Sequence, residues 1–125
     1  HYDVLVTSHG GQLVMPLAKF ITSKPVVLDA FLGMHEMFTD LKPEDSDSYR
    51  AKAWYYLDMY SFRSADLILT DTEEHINYFH EQFGISSKKF RRVFVGSDDA
   101  VFFPRSMDRV DDNFLVMWWG TFIPL

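Results

Sequence analysis

The pattern of apolar and polar positions alternates between two periods along this chain. Tyr2-Asp3-Val4-Leu5-Val6-Thr7 is a short β-branched run stopped by the turn chemistry of Ser8-His9-Gly10-Gly11, and it predicts a first strand. From Gln12 the apolar residues Leu13, Leu17, Phe20 and Ile21 recur at helical spacing until Lys24-Pro25 ends the pattern. Pro16 requires this helix to start near it or to kink there. Val26-Val27-Leu28, closed by Asp29, is a continuous apolar run of the kind buried on both faces of a parallel sheet. Residues 34–48 read as an irregular acidic connection, and a connection of that length is usually functional or mobile. An aromatic helix follows over 51–64, with Trp54, Leu57, Met59, Tyr60 and Phe62 packing on the sheet. Leu67-Ile68-Leu69-Thr70 is the third strand. Asp71-Thr72-Glu73-Glu74 then offers an N-cap with a carboxylate three residues on. The helix it opens runs through Ile76, Phe79 and Phe83, and Gly84 supplies its left-handed stop. Val93-Phe94-Val95 predicts a fourth strand and Phe114–Trp118 a fifth.

Strands alternating with helices build right-handed βαβ units, so the fold class is α/β, a Rossmann-like parallel sheet with helices on both faces. In such sheets ligands bind beyond the carboxyl ends of the strands. Those ends are Ser8–Gly11, Asp29–Gly33, Thr70–Thr72 and Gly96–Asp99.

Composition narrows the function. The 125 residues are 47% hydrophobic and 17% aromatic, ample for a buried core. A formal net charge of −6 argues against a general nucleic-acid binder, which needs clustered cations. With no cysteine there is neither a disulfide framework nor a thiolate metal site, which suits a reducing cytoplasm. No apolar run approaches the roughly 18–20 residues that span a bilayer. Both ends read as cut, the last residues in apolar sequence, as in a piece of a longer protein.

Individual motifs are weak. His9-Gly10-Gly11 allows a phosphate or sugar close to the backbone, but a tight turn explains it as well. His75 and His80 stand five apart, which does not put both on one helical face, so no metal is expected. Ser8, His9 and Asp29 lack the strained turn of a hydrolase nucleophile. Lys88-Lys89-Phe90-Arg91-Arg92 reads as a solvated link between a helix and a strand, or else as a contact to anionic lipid or phosphate.

In combination the motifs carry more. Ala65-Asp66-Leu67-Ile68-Leu69-Thr70-Asp71-Thr72, then Phe83-Gly84 and Phe90, then Val95-Gly96-Ser97-Asp98-Asp99 with Phe102 and Pro104, resemble in order and spacing a stretch of the family 4 glycosyltransferases, enzymes of two-domain GT-B architecture. Lys24-Pro25-Val26-Val27-Leu28-Asp29-Ala30-Phe31 resembles a strand of one bacterial and archaeal branch. Met117–Leu125 resembles the first strand and glycine turn of the second GT-B domain. The resemblance covers nearly the whole chain. It implies that residues 1–105 are the second half of the N-terminal domain, and that 106–125 are the linker and first strand of the donor domain.

The implied reaction is transfer of a hexosyl unit from a nucleotide-sugar to an acceptor hydroxyl in polysaccharide or surface-glycan assembly, with no cofactor beyond the donor substrate. The chain itself, lacking most of the donor domain, is expected to be inactive. Implied cleft-lining residues are His9, Gly10, Gly11, Asp29, Phe31, Gly33, Gly96, Ser97 and Asp98, with Gly120 and Thr121 on the donor-phosphate side. Gly96 would allow the turn out of the last strand. Phe31 stands where many members carry histidine, and Thr121 where many carry an arginine for the donor diphosphate. The implied partners are the nucleotide-sugar and a glycan or lipid-linked acceptor, in the cytoplasm or peripheral to the inner face of the membrane. The unpaired edge at Tyr2–Thr7 is a template for a homodimer. Two other classes stay open: a non-catalytic α/β small-ligand or interaction module, and a Rossmann-type sugar-nucleotide epimerase or dehydrogenase, which would need a GxGxxG turn after the first strand.

Overall fold

Four short strands, β1 (Leu5–Thr7), β2 (Val26–Asp29), β3 (Leu67–Thr70) and β4 (Phe90–Arg92), lie side by side in chain order and pair in parallel throughout. Between them run α1 (Met15–Ile21), α2 (Met34–Leu41), α3 (Tyr49–Ser64) and α4 (Glu73–Phe83). The protein is thus α/β, with a parallel sheet flanked by helices in the Rossmann-like manner. This computed structural model describes residues 1–8, 10–103 and 116. The chain divides into two compact units, His1–Val95 and Gly96–Leu125. The sheet belongs to the first. The expected fifth strand and the linker over 106–125 lie outside the described residues, Val116 apart.

The register explains the core. Thr7, Leu28, Ile68 and Phe90 stand in one row across the four strands, and all four are buried. One hydrophobic cluster joins Leu28, Ile68 and Phe90 of that row to Met15 and Ala18 of α1, Phe62 of α3, and Ile76, Phe79 and Phe83 of α4. Rings dominate it: Phe62 lies 4.5 Å from Phe79 and 5.3 Å from Phe83, centroid to centroid.

Four elements differ from the sequence pattern. The helix expected from Gln12 begins as a 3-10 turn over Gly11–Leu13, and α1 proper starts at Met15 with Pro16 in its first turn, where a missing N–H costs no helical bond. Gly11 is forced by packing, because a Cβ there would lie 2.9 Å from that of Thr7. The connection over 34–48 is not irregular: it contains α2 and a 3-10 turn at Pro43–Asp45. Met34, Met37, Phe38 and Leu41 have helical spacing, which the density of acids around them obscured. The aromatic helix starts two residues earlier than expected, at Tyr49, because the Ser48 hydroxyl caps it by accepting from Ala51 N at 3.2 Å.

The fourth strand is Phe90–Arg92 and not Val93–Val95. Phe90 drops into the phenylalanine cluster and sets the register, which leaves Val93, Phe94 and Val95 exposed. The basic cluster does run from α4 into β4, and Lys88, Arg91 and Arg92 are exposed. Lys89 Nζ donates to the Arg63 carbonyl at 2.7 Å, closing the C-terminus of α3, and burial pushes this ammonium below its ordinary pKa. Arg91 and Arg92 are strand residues.

Candidate functional site

The carboxyl ends of β2, β3 and β4 open into a cleft of about 220 Å3. Asp29 ends β2, Phe31 follows it, Thr70 ends β3 and Asp71 follows that; the Val93–Val95 run forms the remaining wall. Parallel strands bring these residues together because each strand delivers its end to the same side. The Phe94 ring lies under the Arg92 guanidinium, 4.5 Å from its centroid, and Arg92 also reaches Glu73 at 3.3 Å. The cleft thus has apolar walls and carries carboxylates and a hydroxyl.

Asp71 is the best-defined group in it. Thr72, not Asp71, is the N-cap of α4, its hydroxyl accepting from His75 N at 3.1 Å. This leaves the Asp71 carboxylate for the His75 ring, with Oδ1 and Nδ1 2.7 Å apart. The His75 hydrogen bond holds Asp71 below the usual carboxylate range, so it stays an ionised acceptor. The same ring stacks on Phe79 and points Nε2 toward Glu36 Oε1 of α2 at 3.8 Å.

Behind the cleft a buried polar group holds the β2–α2 turn. Gln12 Nε2 donates to the Leu32 carbonyl at 2.8 Å, and Ser61 Oγ donates to the Gln12 carbonyl at 3.0 Å. One turn earlier on α3, Asp58 Oδ2 accepts from His35 N at 2.7 Å. Burial pushes the Asp58 carboxyl up to about 6, against the pull of the backbone donors at His35 and Met34. Asp58 Oδ1, Glu36 Oε2 and Gln12 Oε1 are buried without a hydrogen-bond partner among the described residues.

The implied site residues scatter across this geometry. Asp29 and Phe31 line the cleft. Gly33 is buried beneath it, as the N-cap of α2. Gly10 has a left-handed φ of 74° and forms the turn after β1 with Gly11, outside the cleft lining. Gly96, Ser97 and Asp98 fall in the second unit, where Asp98 Oδ1 accepts from Ala100 N at 2.9 Å and its carbonyl accepts from Val101 and Phe102. Gly96 does not have a positive φ, so that turn rests on Asp98. His9, Gly120 and Thr121 lie outside the described residues.

Asp71 and His75 were legible as an i, i+4 pair but were absorbed by the capping pattern. Asp58 and Gln12 carried no signal, since a lone polar residue in an amphipathic helix reads as solvated. Among the described residues no group of three or more His, Asp or Glu side chains could hold a metal ion, and no helix is long and apolar enough to cross a membrane. A scan against protein-family models returned no match, and no curated protein matches the sequence.

Proposed function

We propose that this chain supplies the acceptor-binding wall of a GT-B glycosyltransferase of family 4 type, which moves a hexosyl unit from a nucleotide-sugar to an acceptor hydroxyl in glycan assembly. The observation that carries the reading is the cleft at the strand ends. Its volume of about 220 Å3 lies below the roughly 300–1,000 Å3 of a pocket for a drug-sized ligand, which suits one small polar ring. Phe31 and Phe94 offer flat apolar surface to the C–H face of a sugar. Asp29 and Asp71 offer oxygens to its hydroxyl donors, and an ionised acceptor makes the stronger hydrogen bond. Two carboxylates at the strand ends disfavour a diphosphate, so the donor leaving group falls to the second domain of the proposed enzyme. The motif order from Ala65 to Pro104 supports the same assignment.

Calorimetry and NMR titration of the chain with neutral hexosides and with common nucleotide diphosphates test this. Neutral sugars should perturb Phe31, Asp71 and Phe94, and Asp71→Asn with Phe31→Ala should abolish the effect. Nucleotide diphosphates should bind no tighter than about 1 mM, or roughly 4 kcal/mol. Micromolar diphosphate binding by this chain would overturn the reading.

A further inference from the structure

The helix that follows the cleft rim is tethered in an unusual way. None of the eight residues of α2 is buried, and its N-cap, Gly33, contributes no side-chain hydrogen bond. The capping acceptor comes instead from another helix: Asp58 of α3, wholly buried, takes the His35 N–H. Gly33 is the close-approach point, since a Cβ there would lie 3.2 Å from Asp58 Oδ2 and 3.3 Å from the Phe79 ring. A second tether joins Glu36 to His75 of α4 at 3.8 Å. With α2 seated, Asp58 has one oxygen satisfied and the other buried without a hydrogen-bond partner among the described residues. With α2 lifted at Gly33, the carboxylate meets water.

We propose that α2 is a proton-linked flap: it closes over a protonated Asp58 and opens as that carboxyl ionises. The coupling follows from linkage. The seated state holds the Asp58 proton more tightly than a solvated carboxyl does, with a value near 6 against 3.8. Deprotonation therefore favours the lifted state by up to about a hundredfold, since each unit is a factor of ten. The neighbouring groups act in defined ways. Glu36 of α2 adds a negative charge that pushes the Asp58 proton affinity up. Tyr78 of α4 is held above its ordinary range by burial and then by Glu36, Asp40 and Asp58, so it stays neutral throughout the window. His35 presents its backbone N–H to Asp58, and its ring packs edge-on against Tyr55. Arg50 of α3 lies over Phe38 of α2, 5.8 Å from the ring centroid. His75 touches Glu36, so a charge on its ring would tether the same flap, and the test must separate the two. The flap begins three residues beyond Phe31, which ties its position to the cleft rim whatever ligand the cleft takes.

Hydrogen exchange of the intact chain, corrected for intrinsic rates, reads the equilibrium directly. The His35 amide of α2, which donates to Asp58 only while the helix is seated, should lose about tenfold of protection between pH 5 and pH 7.5. The α4 amides should not follow. Asp58→Asn should give a flat α2 profile, and His75→Asn should keep the wild-type slope. A flat wild-type profile overturns the proposal without any variant. So does a slope that survives Asp58→Asn or disappears in His75→Asn. If Asp58→Asn does not fold, the carboxyl carbon shift of Asp58 takes its place: a midpoint away from that of α2 exchange overturns the coupling.

Discussion

Helices α1 and α4 have the same relation to the sheet, each crossing from one parallel strand to the next, and opposite fates. In α4 the apolar positions Ile76, Phe79 and Phe83 are buried, with Phe79 at 0% exposure. In α1 the positions of matching period, Leu17, Phe20 and Ile21, are exposed, Phe20 at 89%, and it is Met15 and Ala18 that face the core. The difference lies in the neighbours. Phe79 is enclosed by Phe62, Phe83 and Phe90, whereas α1 stands beside β1, the edge of the sheet. There a cavity of about 320 Å3 is lined by Val6, Val14, Leu17 and Ile21. An apolar period shows that a face exists; it does not show that the face is covered.

Truncation should separate the two helices most sharply. Phe79→Ala should cost about 3–5 kcal/mol, the range for a large aromatic removed from a packed core. Phe20→Ala should stay within about 0.5 kcal/mol, as an exposed substitution does. Urea denaturation of both variants checks the contrast, and comparable losses would break it.

A second measurement sharpens what complete enclosure does on the covered side, where an acid is buried with the rings. The folded-state pKa of Asp58 lies above its unfolded value, so its stabilising contribution is fully present below about 4 and is lost as pH rises through 6. Asp66 and Asp71 run the other way. Asp66 is depressed first by the Val26 N–H and then by Lys19, Asp71 first by His75, so their contributions are present above the ordinary carboxylate range and lost as pH falls through it. Between pH 5 and pH 8 the Asp58 slope therefore stands apart from theirs. Chemical denaturation should show the wild type losing about 1.4 kcal/mol across that interval relative to Asp58→Asn.

The smallest effect is expected on the open side. Val6 is 55% exposed on β1, whose outer side has no neighbouring strand among the described residues, and such an edge invites pairing. Light scattering over a concentration series should reveal a dimer through β1. Val6→Lys should return it to monomer while changing unfolding free energy by no more than about 0.5 kcal/mol. A wild type that stays monomeric would remove the expectation.

Much of the fold was legible. Val26–Asp29 and Leu67–Thr70 are continuous apolar runs too short for helices, and Gly84, with a φ of 63°, marks the end of α4 where a left-handed residue is needed. The strand ends carry Asp29, Phe31 and Asp71 into the cleft because chain direction alone assigns them to one rim. The sequence by itself determined the alternation of elements, the parallel sense of the sheet and the side on which a cleft forms, since local periods and right-handed crossovers leave few alternatives. The tertiary structure alone decided that Phe90 rather than Val93–Val95 occupies the fourth strand, that α1 keeps its larger apolar residues in solvent, and that Asp58 caps a helix more than twenty residues before it. The physical reason is common to all three. Backbone pairing and capping accept any side chain whose partners lie in the right place, and those partners are brought there by packing between segments distant in sequence.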